Sequence, residues 1–221
     1  MRSYLSLKPV LYTITLSILI ITSSNAFATP WIGNELSGAP CKGKGQGYGP
    51  FDYLQRHRFP KELSLVERVH FTYPVEALIR GKTAIDPYGD LDYTLRAWPN
   101  HHRALNSYTR YFLEKKNIGG VRTPPECYFQ RAIHFSPKDA RTYMLFAMYL
   151  QKLKNNDLAK KQYEKALSLK PNDIQILYNY GLCLVEEKEF DKAKEHAIRV
   201  YESSFPLNGL KKKLEKAGYW P

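Results

Sequence analysis

Shifted against itself by 34 residues, the second half of this chain matches itself. "RAIHFSPKDA", from Arg131 to Ala140, lies over "KALSLKPNDI", from Lys165 to Ile174, pairing Ala132 with Ala166, Pro137 with Pro171 and Asp139 with Asp173. The match continues with Ala147 on Gly181, Asp157 on Asp191 and Ala159 on Ala193. A fixed period of this length restricts the fold sharply, because each unit is too small to bury its own apolar face and must stack on the next. Small residues recur where helices approach closely, and aspartates recur where a helix needs an N-cap. In "LYNYGLCLVEEKEFDKA", Gly181 stands inside a helix at a cost of about 1 kcal/mol relative to alanine. The sequence accounts for it as the small residue that lets one helix of a pair sit against the other. Cys183, two residues on, has no neighbouring His or CxxC partner and behaves as a small buried hydrophobe.

Residues 140–173 resemble the tetratricopeptide repeat, a helical hairpin, with Ala147, Ala159, Ala166 and Pro171 at its small and proline positions and Tyr143, Leu150 and Tyr163 as large packing residues. In residues 174–207, Gly181, Phe190 and Ala193 fit, whereas Val200 replaces a small residue and Pro206 comes one position late. An earlier unit spans residues 100–139, with Phe129, Ala132 and Pro137 in place and a long loop, "KNIGGVRTPP", between its helices. The resemblance implies an all-α, right-handed superhelix of about three hairpins. It also implies a concave face for a protein or peptide partner, lined by Arg141, Met144, Met148 and Gln151, then Gln175, Tyr178, Leu182 and Val185. The Lys/Asn/Arg set that clamps a terminal carboxylate in some family members is missing from these positions.

Residues 208–221 supply a short amphipathic helix, Leu210 and Leu214 being four apart with Gly218 as a stop, suited to capping the open end of the stack. Residues 29–99 form a different region. From Thr29 to about Pro60 they are rich in Gly and Pro and lack a sustained period, which predicts a loop-rich arm held down by Trp31, Tyr48, Phe51 and Tyr53. A helical turn or short strand is expected around Leu65, Val66 and Val69, and a helical turn around Val75, Leu78 and Ile79.

Residues 1–28 read as a signal peptide: Arg2 and Lys8, the apolar run "PVLYTITLSILIITSS", then Ala26-Phe27-Ala28 as a cleavage pattern. An exported protein starting at Thr29, periplasmic or secreted, is expected. The first 28 residues hold two of the 33 basic residues and none of the 21 acidic ones, leaving the remainder at +10. Outside the cytosol that charge meets anionic envelope surfaces or acidic proteins, and no nucleic-acid partner is expected. An oxidising compartment favours bridged cysteines. Three cysteines leave three pairings open, and Cys41 with Cys127 is preferred because packing accounts for Cys183.

The chemical alternative is a small metal-binding or hydrolytic N-terminal domain using His70, Asp90, Asp92, His101 and His102, with the repeats as scaffold. Its spacing is poor: His101 and His102 are adjacent, about 100° apart on a helix, and cannot chelate as an i, i+4 pair does. No HExxH, GxSxG or CxxC motif is present, and "GKGQGYG" lacks the flanking strand and helix of a phosphate cradle. Neither a catalytic residue nor a cofactor is assigned, and the chain is read as a binding scaffold.

Overall fold

A computed structural model describes residues 28–114 and 122–220; the expected signal segment and most of the first inter-helix loop lie outside the described residues. The described chain is helical, its only β feature being an isolated bridge between Asn34 and Pro40. A 3-10 helix, Tyr53–Arg58, precedes α1 (Pro60–His70), α2 (Tyr73–Glu76) and α3 (Tyr88–Ala97). Three hairpins follow, α4 (His102–Glu114) with α5 (Pro125–Phe135), α6 (Ala140–Lys152) with α7 (Asn156–Leu169), and α8 (Ile174–Glu186) with α9 (Phe190–Glu202), and α10 (Gly209–Lys216) ends the stack. Each hairpin packs on the next, and α4, α6, α8 and α10 stand side by side as a ladder.

The 34-residue period extends to the backbone. Asp139 caps α6 by accepting from the Arg141 and Thr142 N–H groups at 3.1 and 3.4 Å. Asp173 caps α8 in the same way, from Gln175 and Ile176 at 3.1 and 3.2 Å. Asp157 and Asp191 lie inside the first turns of α7 and α9 and are not caps; there a carboxylate complements the helix dipole. α6 and α8 both end in a left-handed residue, Lys154 and Lys188, each at φ 62°. The following N–H reaches back to close the turn, Asn155 to Leu150 O and Glu189 to Leu184 O, both at 2.9 Å.

The small residues do their packing work in the core, where Ala147, Ala159, Ala166, Ala193 and Cys183 are all fully buried. For Gly181 the structure changes the neighbour. A Cβ there would stand 2.6 Å from Leu210 Cδ2, so the glycine admits the capping helix α10, one unit further along the stack.

The N-terminal region is more helical than its composition predicts from Tyr53 onward, and α3 buries Leu91, Leu95 and the adjoining Trp98 completely. The preceding arm follows α5. Cys41 and Cys127 are disulfide-bonded, with Cα atoms 5.4 Å apart. Gly33, at φ +78°, fits closely against Gln130, and Thr123 Oγ1 donates to Lys42 O at 2.7 Å. Beneath the arm, Arg131 is buried with no carboxylate contact among the described residues, and its guanidinium donates to Thr29 O, Leu95 O and Gln46 Oε1 at 3.1, 2.9 and 2.6 Å. Burial pulls its pKa down to about 10, so it remains charged at neutral pH.

Candidate functional site: the ladder face

On the inner ladder, α6, α8 and α10 enclose a depression of about 590 Å³ with Met148 and Leu182 on its floor and Gln151 and Asn179 as polar groups. Lys152, Lys154 and Lys213 stand round it, with Glu186 as the one carboxylate of its lining. A smaller hollow of about 90 Å³ beside it shares Met148 and Lys152 and adds Leu145 from α6 and Arg110 and Leu113 from α4. The floor is therefore apolar and the rim mainly cationic. Lys154 is paired with Glu186 at 3.6 Å and Arg110 with Glu114 at 3.9 Å, while Lys152 and Lys213 belong to no ion pair among the described residues.

Of the eight residues expected on this face, Met148, Gln151 and Leu182 do line the depression. Met144 does not: it is buried, its sulfur near Arg141 Nη1 at 3.9 Å and Asn179 Nδ2 at 3.8 Å. Tyr178 is covered too, its ring 5.0 Å from that of Phe205, because the segment leading into α10 folds across it. Arg141 and Gln175 hydrogen-bond to each other, and Arg141 also approaches Asp173 at 3.7 Å. Val185 is half-buried and outside the lining. Sequence reasoning missed Asn179, Lys152 and above all Lys213. The same 34-residue offset could have found the last, since Leu210 follows Ile176 at that spacing and marks α10 as one more inner helix.

The arm leaves this face open. Its residues Ile32 and Leu36 instead wall a second, more apolar hollow of about 770 Å³ between α5, α6 and α7, with Ile133, Phe146 and Leu158. On α6, Tyr143, Phe146 and Leu150 face that hollow, whereas Leu145, Met148 and Lys152 face the ladder depression about half a turn away. The carboxylate in its wall, Glu126, is satisfied by the Leu36 N–H at 3.0 Å and the Tyr149 hydroxyl at 2.8 Å, in the first turn of α5.

The histidines and aspartates near the N-terminal region separate into different structural roles. His70 Nδ1 meets Asp90 at 2.8 Å, and Asp92 accepts from the Tyr128 hydroxyl at 2.6 Å and from Arg96 at 3.1 Å. His101 caps α4, its Nδ1 accepting from the Ala104 N–H at 3.1 Å while Nε2 donates to Glu67 at 3.1 Å. Burial, outweighing Glu67, holds its pKa below the usual histidine value, so the ring is neutral. His102 Nε2 contacts Asp139 at 2.7 Å, and Asn100 donates to the same oxygen at 2.9 Å. Among the described residues, no three His, Cys, Asp or Glu side chains converge as a metal would need.

Two family models described as tetratricopeptide repeat match the chain, one over residues 140–173 and one over 162–195. Among curated proteins none matches. The fold is similar to the solved structure described as "Crystal structure of MamA", at 19% identity over 76% of this chain and 86% of that one, with TM-score 0.47. It is also similar to "MamA RS-1 ArsTM double mutant", at 20% identity over 60% of this chain and 66% of that one, with TM-score 0.41. The 34-residue period, the repeated Asp caps, the alternating hairpins and the two family models agree: residues 140–195 of this chain are built of tetratricopeptide repeats.

Proposed function

We propose that this protein is an exported scaffold that holds a peptide or protein of the cell envelope on its ladder face. The observation that carries this is the depression over Met148 and Leu182, apolar at its floor, edged by Lys152 and Lys213, and filled by no described segment of the chain. An apolar peptide segment flanked by acidic residues fits it: the floor takes the apolar side chains, and the lysines meet the charges. Export is supported by the signal-like pattern of residues 1–28 and by the Cys41–Cys127 bridge, which an oxidising compartment sustains.

The groove is tested with an array of apolar and acidic peptides, followed by anisotropy titration of those that bind. Met148→Glu with Leu182→Glu should abolish binding while the helical circular dichroism signal is kept, since both side chains are only half-buried. Undiminished affinity in that variant refutes the groove. Export is tested separately by N-terminal sequencing of protein from producing cells; a chain still carrying residues 1–28 refutes it.

A further inference from the structure

A second surface, away from the ladder face, combines charge with exposed apolar side chains. Between Tyr53 and Lys82 the chain carries six basic residues, Arg56, Arg58, Lys61, Arg68, Arg80 and Lys82, against three acidic ones, Glu62, Glu67 and Glu76. Two of those three carboxylates are already engaged, Glu67 by His101 and Arg103, and Glu76 by Arg103. None of the six cations belongs to an ion pair among the described residues. Arg56, His57 and Arg68 line an open depression of about 660 Å³ together with Ser64, Thr72 and Glu67, whose carboxylate is taken up by His101 and Arg103.

Apolar groups stand beside it on the same helix. Leu65 and Val69 follow Ser64 and Arg68 by one residue, so they lie about 100° round α1, and both are exposed. Tyr73, next to Thr72, is 75% exposed, and Ile79 is 63% exposed. Singly such residues need no explanation; together beside unpaired arginines they mark a contact surface.

We propose that this surface docks on an anionic lipid bilayer. A lipid phosphate sits in the Arg56–Arg68 depression, taking hydrogen bonds from the Ser64 and Thr72 hydroxyls, while Leu65, Val69 and Tyr73 enter the headgroup and acyl boundary. The charge selects this occupant over a second copy of the chain, since a two-fold contact through α1 would set each arginine cluster against its twin. The juxtaposition of cations and apolar side chains on one short helix is what an interface between headgroups and hydrocarbon accommodates. The ladder face plays no part, so this surface and the peptide groove succeed or fail independently.

Vesicle co-sedimentation of the full chain tests the proposal, with phosphatidylglycerol in phosphatidylcholine compared against phosphatidylcholine alone. The apolar segment before residue 28 contributes equally to parent and variants, so differences between them report on the surface. Arg56→Gln with Arg68→Gln should weaken binding to the anionic vesicles about thirty-fold, at about fivefold per cation removed near the surface. Arg56 also donates to Tyr53 O at 3.1 Å, so a second variant, Lys61→Gln with Arg68→Gln, repeats the test without touching that contact. Leu65→Ser with Val69→Ser should weaken binding as well, and Met148→Glu with Leu182→Glu should bind vesicles like the parent. Equal binding to both vesicle types, or parent-like binding by both charge variants, overturns the proposal; the latter is also the outcome if the surface serves an acidic protein instead.

Discussion

Gly181 gives the sharpest quantitative test of how the stack is closed. Alanine in its place gains about 1 kcal/mol of helix propensity. The added Cβ would lie 2.6 Å from Leu210 Cδ2, against the roughly 3.5 to 4 Å of a comfortable carbon contact, so α10 must yield by about 1 Å. Leu210 is fully buried and has little room to turn, and overpacking of this kind costs about 1 to 3 kcal/mol. Gly181→Ala should therefore destabilise by about 1 kcal/mol net, even though the equivalent residue one repeat earlier, Ala147, is an alanine. In a Leu210→Ala background, itself weaker by about 2 to 5 kcal/mol, the obstruction is gone and the sign should reverse to a gain of about 1 kcal/mol. The cycle thus predicts a coupling of about 2 kcal/mol, measured by urea unfolding of the four proteins. If Gly181→Ala changes stability by the same amount and sign in both backgrounds, Leu210 is not the reason for the glycine.

Breaking the Cys41–Cys127 bridge, which separates the two residues by 86 positions, should lower stability by up to about 4 kcal/mol, read as a fall in melting temperature on reduction. A melting temperature insensitive to reductant would show that the arm is held by its other contacts. Cys183 is buried and its thiol is pushed up to about 12, so iodoacetamide should fail to label it until the chain unfolds; rapid labelling of native protein counts against that placement. Burial also depresses His101 and His196 below 6.5, so unfolding takes up protons: their neutral-ring stability is complete above that pH and is lost as pH falls below it. Urea midpoints should drop between pH 7.5 and 5.5, and less so in His101→Gln with His196→Gln; equal drops refute the assignment. Glu67 and Asp139, held low by His101 and, against burial, by His102, lose their contribution only at more acid pH. Lys154→Gly should add about 0.5 to 1 kcal/mol, because glycine adopts the left-handed backbone there without strain, and a loss in chemical denaturation would contradict it.

The repeat made most of the stack legible. A period of 34 fixes helix number and order in residues 140–207, and Asp139 and Asp173 were readable as caps because capping is a local property of a side chain and the next two or three N–H groups. The N-terminal region was less legible. α3 is amphipathic only against surfaces supplied by α1 and α4, so Leu91, Leu95 and Trp98 announce a core without saying what completes it. Arg131 looks like one more surface cation in a helix, and only the arm folded over α5 shows it buried beneath three carbonyl and amide oxygens.

The candidate site divides along the same line. The resemblance to the tetratricopeptide repeat, legible in the sequence, marked Met148, Gln151 and Leu182 for one face of the inner helices. Tertiary structure decided which of those faces stays open. Phe205 and the turn into α10 cover Tyr178, α8 brings Asn179 over Met144, and α10 carries Lys213 to the rim. Those outcomes depend on contacts between residues about 30 or more positions apart, whose relative placement is set by how successive hairpins lean on one another, and no local pattern encodes that lean.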